Sequence, residues 1–434
     1  MYHSLLSGKI VSKLAKTFKL GTGSTWPGHV ALKADSKLIK KITKKNPNLK
    51  IILVAGTNGK TTTAKLIQEA LEQQNKRVFR NDTGANLLNG IASTLIKHSN
   101  LAGKISYDAA IFEVDENTLP IALSQLSTTA PQLSIILLNL FRDQLDRYGE
   151  LNSIAKHWLV SLKNLPKDTI LVTNGDDPML RFLGENSNLH TYYFGLSENL
   201  MKETQAGHDV DFLYCPNCQT KLIFKKRSYS HMGIYNCPSC KFAHKNCAVF
   251  GNLPNPLLGI FNIYNINAAT LLLQKGFGIS EESVKKTLIK FSPAFGRQEI
   301  IEYKGKNVFL LLSKNPTGFN QSIQAILGQD KNPNILILLN DRIPDGRDVS
   351  WIWDVEFEEL VKAKFITISG DRAYDMGLRI KYCEISNSKF RIVENLQEAL
   401  ITSISKLNNE TLYVLATYSA MLEVRKILKG RKIL

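Results

Sequence analysis

Hydrophobic and polar positions follow two patterns along most of the chain, one typical of strands and one typical of helices. Short apolar runs at Ile51–Ala55, Ala109–Val114, Ile135–Leu140 and Thr169–Thr173 are typical of buried strands. Amphipathic stretches such as Thr62–Gln74 lie between them and indicate helices. Strands that alternate with helices predict βαβ units around a parallel sheet, so we expect an α/β fold.

A second set of apolar runs follows a boundary near residues 291–298. NVFLLLS, NILILLN, KFITISG and TLYVLAT alternate there with helical patterns. They predict a smaller, Rossmann-like α/β domain over residues 296–434. The larger domain is expected over residues 49–295, and residues 1–48 are expected to form an N-terminal helical segment that docks on it.

The alternation of strand and helix patterns is interrupted over residues 206–250, which contain cysteines, lysines and short polar turns instead. Two Cys-Pro-x-Cys pairs lie here, and residues 219–236 separate them; the four cysteines are Cys215, Cys218, Cys237 and Cys240. This spacing is typical of a zinc ribbon, in which four thiolates complete the metal shell. The segment therefore predicts an inserted ribbon with a structural Zn²⁺.

Composition and charge limit the class of protein. A chain of 434 residues with 44% hydrophobic and 21% charged residues is typical of a folded multidomain protein. The longest apolar run, Leu133–Phe141, is too short to cross a bilayer, and the N-terminus lacks a secretory signal, so we expect a cytoplasmic location. The net charge of +17 fits nucleic acid, an anionic membrane surface or a phosphorylated substrate, and does not choose among them.

The segment IILVAGTNGKTTTAKLIQEAL runs from an apolar strand through a glycine turn into a helix, the context of a phosphate-binding loop. Glycines let the backbone approach phosphate oxygens, and the first N–H groups of the helix donate to them. Lys60 adds a cation, and the Thr61 hydroxyl can hold Mg²⁺. The predicted ATP site comprises Gly56, Thr57, Asn58, Gly59, Lys60, Thr61 and Thr62.

GTNGKTTT resembles the phosphate loop of Mur ligases and folylpolyglutamate synthases, and further motifs extend the resemblance. FEVDENT resembles the acidic strand end of Mur ligases, which implies that Glu113 holds Mg²⁺ together with Thr61. NLFRDQLDRYG and TNGDDP resemble elements that follow it. FNIYNINAA resembles the helix that reads adenine, which implicates Asn262 and Asn265. AFGRQE resembles an interdomain element, which implies that Arg297 reaches the γ-phosphate.

The strand pattern alone also predicts that acidic residues lie where a ligand would bind. Glu113, Asp115 and Glu116 end an apolar strand, and ligands of open α/β sheets bind at the carboxyl ends of strands. One departure concerns Gln144, which stands where Mur ligases usually carry a metal-binding histidine. An amide binds Mg²⁺ more weakly than that histidine.

YCPNC, SKNPTGFN and NDRIPDGRDVSWIWD resemble the MurT family, the synthetase subunits of lipid II isoglutaminyl synthase. The resemblance implies an ATP- and Mg²⁺-dependent carbon–nitrogen ligase of peptidoglycan synthesis with a Mur-ligase-type central domain. It further implies that the α-carboxylate of D-glutamate in the lipid II stem peptide becomes an acyl phosphate, which ammonia converts to D-isoglutamine. The ammonia would come from a class I-type glutaminase subunit, in a heterodimer or higher complex at the inner face of the plasma membrane.

The same resemblance implies roles for individual residues. Lys60 and Arg297 would neutralise the charge that moves with the γ-phosphate, and Lys314 would orient the acyl phosphate. Asp348, in the G-R-D loop, would complete the catalytic triad of the glutaminase by orienting its histidine. The alternative is that this aspartate only caps the helix-like segment that follows it.

Two other functions remain open at this point. A stand-alone ligase of the folylpolyglutamate synthase type would add an amino acid in place of ammonia. A nucleic-acid-binding ATPase would use the ribbon and the positive charge, and its binding would weaken with salt. The motifs favour the amidating ligase, so no nucleic-acid partner is expected.

Overall fold

The computed structural model describes residues 1–17, 25–81, 84–126, 132–143, 150–203, 207, 209–293, 296–408 and 410–430. Within these ranges the chain forms two six-stranded sheets with flanking helices and a separate two-stranded hairpin. The predicted α/β class with a parallel sheet is confirmed, as is the second sheet. No helix among the described residues is long and apolar enough to cross a membrane.

The first sheet is entirely parallel, with strand order β2-β3-β1-β4-β5-β6. Its strands are β1 (Lys50–Ala55), β2 (Val78–Arg80), β3 (Ala109–Val114), β4 (Leu133–Leu137), β5 (Ile170–Asn174) and β6 (His190–Phe194). Central strands are buried on both faces, because helices cover each side. This burial explains why the strands appear in the sequence as continuous apolar runs.

Ten helices of the described chain accompany this sheet. They are α1 (Tyr2–Thr17), α2 (Trp26–Ala34), α3 (Leu38–Lys44), α4 (Lys60–Glu72), α5 (Leu88–His98), α6 (Thr118–Leu126), α7 (Leu151–Lys163), α8 (Pro178–Asn186), α9 (Ile260–Phe277) and α10 (Glu281–Lys290). Helix α1 docks on the body: Leu5 is fully buried, and the Lys9 ammonium donates to the Ile96 carbonyl at 2.9 Å. Leu5 therefore packs on the first domain, whereas Ile10 and Leu14 of the same helix are exposed.

The second sheet has strand order β13-β12-β11-β14-β10-β9. Its strands are β9 (Arg297–Tyr303), β10 (Lys306–Leu312), β11 (Asn334–Leu338), β12 (Phe365–Ser369), β13 (Phe390–Ile392) and β14 (Thr411–Ala416). The four predicted runs are β10, β11, β12 and β14. Edge strands β9 and β13 were not predicted, because they are less completely buried and carry polar residues.

Four α-helices and two 3₁₀ segments complete the second domain. The helices are α11 (Pro316–Gln329), α12 (Ala373–Lys381), α13 (Leu396–Ser405) and α14 (Tyr418–Lys429); the 3₁₀ segments are Ser350–Asp354 and Phe357–Lys362. Strand β9 is antiparallel to β10, and all other pairs of this sheet are parallel. The loops after β10 and β11 therefore leave the same edge of the sheet.

The cysteine-bearing insertion folds around the hairpin of β7 (Ile223–Tyr229) and β8 (Met232–Asn236). Two buried aspartates of the TNGDDP motif connect it to the first domain. Asp176 lies 2.9 Å from His244 Nε2 and accepts a 2.7 Å bond from the Tyr264 hydroxyl of α9. Asp177 caps α8 and lies 3.3 Å from His231 Nε2. The two histidines therefore contact aspartates rather than the four cysteines of the Cys-Pro-x-Cys pairs, and His244 also lies 3.7 Å from the Cys247 sulfur.

Candidate active site

The phosphate loop lies between β1 and α4 and is held from two sides. Gly59 has φ +91°, and a Cβ there would lie 2.1 Å from Asn265 Oδ1, so helix α9 packs directly on the loop. On the other side, the Asn58 amide donates to Asn139 Oδ1 at 2.8 Å, and Asn139 Nδ2 donates to the Asn58 carbonyl at 3.0 Å. The loop shape is thus set by packing as well as by its glycines.

The Lys60 side chain folds back across this loop. Its ammonium donates to the carbonyls of Gly56 and Thr57 and lies 3.8 Å from a carboxylate oxygen of Glu116. A cation held over backbone N–H groups at a helix N-terminus attracts an anion. The arrangement fits the phosphate groups of a nucleotide.

The two predicted Mg²⁺ ligands are neighbours. Thr61 Oγ1 donates to Glu113 Oε2 at 2.7 Å, and Arg80 Nη1 lies 3.4 Å from the other oxygen of Glu113. Asn81 fixes the backbone of Glu113 through bonds of 2.9 Å to both its N–H and its carbonyl. A hydroxyl and a carboxylate beside a phosphate loop are the oxygen ligands that Mg²⁺ prefers, so the residues fit the ion.

Glu116 is another buried carboxylate in this region. The Trp158 indole donates to its carbonyl at 2.7 Å and fixes its backbone. Burial raises the pKa of the Glu116 carboxyl, and nearby Lys60 opposes that rise while Asp115 adds to it. The loop after β3 therefore buries acidic groups next to the loop that would hold phosphates, and burial favours the neutral form of Glu116.

A cleft of about 770 Å³, its open mouth included, lies between the phosphate loop, α9 and the second domain. Its lining includes the predicted Asn58, Gly59, Thr61, Thr62, Asn262, Asn265 and Arg297, together with Tyr229 of the hairpin and Gln298, Thr317 and Gln321 of the second domain. Asn265 Nδ2 donates to Asn262 Oδ1 at 3.1 Å. Seven of the predicted nucleotide-binding residues thus line one cleft, called the nucleotide cleft below, whereas Gly56, Thr57 and Lys60 are not among its lining residues.

Charged and amide groups cross the junction between the two domains. Lys314, after β10, forms an ion pair with Asp143 of the first domain. Burial lowers the pKa of Lys314, but Asp143 and Glu116 raise it above its ordinary value. Asn58 and Asn315 exchange amide hydrogen bonds of 3.3 and 3.2 Å. These contacts bring the second domain against the phosphate loop.

Arg297 lies at the start of β9 and faces the nucleotide cleft from the second domain. Burial lowers the pKa of its guanidinium, and the carboxylates of Glu113 and Asp143 oppose that shift. The structure brings Arg297, Lys60 and Lys314 around the same group of carboxylates.

Asp348 lies on a second, smaller cleft that the first domain shares. The lining residues are Arg142, Asp143, Lys314, Asn315, Pro316, Asp348, Ser350, Trp351 and Asp354. Asp348 is exposed, and its Oδ1 accepts a 2.8 Å bond from the Ser350 amide. This is the local turn contact expected of a loop aspartate. Among the described residues this contact uses only Oδ1 of Asp348. Asp348 can therefore make it and still contact a partner.

The four cysteines of the insertion come together. Cys215 and Cys240 sulfurs are 3.5 Å apart, those of Cys218 and Cys237 are 3.4 Å apart, and all four lie within 4.8 Å of one another. Tetrahedral zinc with Zn–S bonds of about 2.3 Å requires sulfur separations of roughly 3.8 Å. The cluster therefore fits the ion, and zinc binding stays a prediction.

Three contributors to the site were not singled out in the sequence. Asn139 and Asp143 stand within NLFRDQLDRYG, so the motif contained the signal without separating their roles. Tyr229 lines the nucleotide cleft and belongs to the insertion, for which the sequence predicted only a zinc site. Gln144, the predicted departure in metal binding, lies outside the described residues.

Comparison with known proteins is consistent with this geometry. The family described as Mur ligase middle domain matches residues 54–273, and the one described as MurT ligase C-terminal matches residues 312–421. The chain is 32% identical to the "Lipid II isoglutaminyl synthase (glutamine-hydrolyzing) subunit MurT" of Streptococcus pneumoniae, over 96% of this chain and 94% of that protein. It is 31% identical to the MurT subunit of Staphylococcus aureus strain COL, over 84% of each.

Solved structures share the fold at lower sequence identity. A pseudomurein peptide ligase type C from Methanothermus fervidus aligns with a TM-score of 0.65 and 19% identity, over 90% of this chain and 81% of that one. The MurF ligase of Thermotoga maritima in complex with ADP aligns with a TM-score of 0.62 and 16% identity, over 92% and 83%.

Proposed function

This chain belongs to the MurT family of Mur ligases and is an ATP-dependent ligase of peptidoglycan synthesis; from that premise we propose its mechanism and its division of labour with a partner. The chain activates the α-carboxylate of D-glutamate in lipid II as an acyl phosphate. Ammonia from a separate glutaminase subunit converts that carboxylate to an amide. In this proposal residues 49–295 form the ATPase domain, residues 206–250 its ribbon, and residues 296–434 the domain that contacts the glutaminase.

The Lys314–Asp143 ion pair is the observation that carries the proposal. It lines the smaller cleft with Asp348, while the charges of Glu116 and Arg297 also act on Lys314. An acceptor carboxylate at this pair would lie between a phosphate donor on one side and a source of ammonia on the other. Such positioning is a large part of catalysis in phosphoryl transfer.

The reaction has two bond exchanges. A carboxylate oxygen of the substrate bonds to the γ-phosphorus as the bond to ADP breaks, and ADP leaves with that electron pair. The ammonia nitrogen then bonds to the acyl carbon, phosphate leaves with the C–O electrons, and the nitrogen gives up a proton. Lys60 and Arg297 stabilise the charge on the phosphoryl group, and Lys314 holds the acyl phosphate.

Two metals complete the proposed holoenzyme. Thr61 and Glu113 would hold Mg²⁺, which when bound neutralises phosphate charge. The four thiolates of the insertion would hold Zn²⁺ with no position left for substrate, so that ion would serve the fold alone.

Asp348 would act on the partner rather than on lipid II. Its position on an exposed loop next to the smaller cleft supports contact with a second chain. There it would orient the histidine of the glutaminase triad, as the aspartate of such triads does.

Mass spectrometry of lipid II incubated with this protein, ATP, Mg²⁺ and ammonium tests the proposal without the glutaminase. We expect replacement of a hydroxyl by an amino group at the stem-peptide glutamate, dependent on Lys60. Unchanged lipid II in the presence of bound nucleotide would contradict it and favour the amino-acid ligase function.

A further inference from the structure

A basic cavity, separate from the two clefts, lies at the end of the second sheet opposite to the proposed active site. Asn334 and Phe365 begin the parallel strands β11 and β12, and both line it. Lys314 and Asp348, in contrast, follow the carboxyl ends of β10 and β11. The cavity encloses about 700 Å³, its mouth included, and is lined by Asn334, Ile335, Lys364, Phe365, Thr367, Arg391, Ser403, Lys406 and Leu412.

Arg391 is the notable member of this lining. Its Nε and Nη2 atoms are buried and have no hydrogen-bond acceptor among the described residues. Buried guanidinium donors without acceptors are rare in folded proteins because they lose water without a replacement. These two nitrogens form one edge of the guanidinium, which is the edge that holds two oxygens of a carboxylate or phosphate.

The neighbouring side chains increase the positive character of the cavity. Within the described ranges, neither Arg391 nor Lys406 lies within 4.0 Å of a carboxylate. Both cations lie near the Phe365 ring, at 5.6 and 5.8 Å from its centroid. Lys364, the third cation, is paired with Glu410. Two positive charges are thus left uncompensated beside one aromatic ring.

Hydroxyl groups complete the polar lining. Ser403 Oγ donates to Thr367 Oγ1 at 3.0 Å, and both side chains are buried. Because Thr367 Oγ1 is the acceptor in this hydrogen bond, its own hydroxyl proton can be donated to another acceptor. Two cations, a two-pronged donor edge and a hydroxyl match the charge and the several oxygens of a phosphoryl group better than those of a single carboxylate.

We propose that this cavity is a second anion site that binds a phosphoryl group on the guanidinium edge of Arg391, separate from the nucleotide cleft. The group belongs either to a small soluble phosphate compound or to the headgroup of an anionic phospholipid. The chemistry of recognition is the same in both cases. The site does not depend on the amidation reaction.

Thermal unfolding and calorimetry of the full chain with inorganic phosphate test the site, with ADP and Mg²⁺ at saturation to fill the nucleotide cleft. Phosphate should raise the Tm of the wild type. Arg391→Leu should weaken phosphate binding at least tenfold and abolish that rise. Arg391→Lys keeps the charge but lacks the donor edge and should bind with intermediate affinity. Lys381→Leu, at an exposed position of α12, serves as the matched control.

A parallel measurement uses vesicles of phosphatidylcholine with and without phosphatidylglycerol. Binding of free phosphate that needs Arg391 supports a soluble ligand. Arg391-dependent binding to the phosphatidylglycerol vesicles without binding of free phosphate supports the headgroup. The proposal is overturned if Arg391→Leu binds both probes as the wild type does, or if the wild type binds neither. Retained nucleotide binding by Arg391→Leu shows that the variant is folded.

Discussion

The carboxylates near the domain junction form two groups that are held in opposite ways. Glu113, Glu116 and Asp143 are buried, and each lies near a lysine or arginine. On the loop after β11, Asp348 is exposed and makes a local turn contact. This difference fits the proposal that the buried group acts in phosphoryl transfer within this chain and that exposed Asp348 acts on a second chain.

The physical basis of this contrast is solvation. Charges removed from water interact strongly, so a change at one buried group alters its neighbours. Exposed charges are screened and contribute little to stability. We therefore expect changes at the buried carboxylates and their cations to affect every activity of the chain, and a change at Asp348 to affect only the activity that needs the partner.

The largest expected effect is on glutamine-driven amidation in Asp348→Asn. If Asp348 orients the partner's histidine, its amide should lower that activity by roughly 10⁴-fold, as loss of a triad carboxylate does. Ammonium-driven amidation should be unchanged. Both rates are measured with the reconstituted complex, and Asp375→Asn on α12 is the control. Equal loss of both activities would contradict the distinction between the buried carboxylates and Asp348.

The next largest effect is expected for Lys60→Ala. Loss of a cation that stabilises the transferring phosphoryl group should lower amidation by roughly 10²- to 10³-fold. The loss should be the same with glutamine and with ammonium, because both reactions need the acyl phosphate. Exposed Lys76→Ala at the end of the same helical region is the control. Full ammonium-driven activity in Lys60→Ala would refute the role of the phosphate loop.

A smaller effect should follow removal of a predicted zinc ligand. Cys218→Ser is expected to lower the zinc content from about one equivalent per chain and to reduce the Tm, because the small core of the insertion depends on the metal. Cys383→Ser, in the second domain, should keep its zinc. A fully folded wild type without zinc, measured by elemental analysis, would exclude the ribbon.

The smallest expected effect is a pH-dependent change in stability at Glu116. Burial raises the pKa of this carboxyl, so the folded protein keeps a proton that the unfolded chain has released. The free energy of unfolding therefore decreases as the pH rises from the ordinary glutamate pKa through the folded value. Glu116→Gln removes this loss and should have a higher Tm than the wild type at about pH 8, with the difference disappearing near pH 4.

Thermal unfolding across that pH range measures the effect. Glu302→Gln, on an exposed position of β9, should show no such pH-dependent difference from the wild type. A Glu116→Gln curve parallel to that of the wild type would mean that Lys60 fully compensates the burial of Glu116.

Long apolar runs made the central strands predictable. Strands β1, β3, β4 and β5 are buried on both faces, so their hydrophobicity is continuous in the sequence. Edge strands β9 and β13 were missed because only part of each is buried. The hydrophobic pattern predicts a strand that is completely buried, because all its residues are apolar. It does not predict a partly exposed strand, because polar residues interrupt the pattern.

The sequence alone determined the local chemistry: a phosphate loop between a strand and a helix, two cysteine pairs and an acidic strand end. Each depends on residues close together in the chain, where spacing fixes geometry. Only the tertiary structure decided that Lys314 pairs with Asp143 and that Tyr229 of the insertion lines the nucleotide cleft. It also decided that Arg391 Nε and Nη2 have no acceptor among the residues that the structure describes. These contacts join distant segments, and their burial and charge depend on how the two sheets and the insertion pack together.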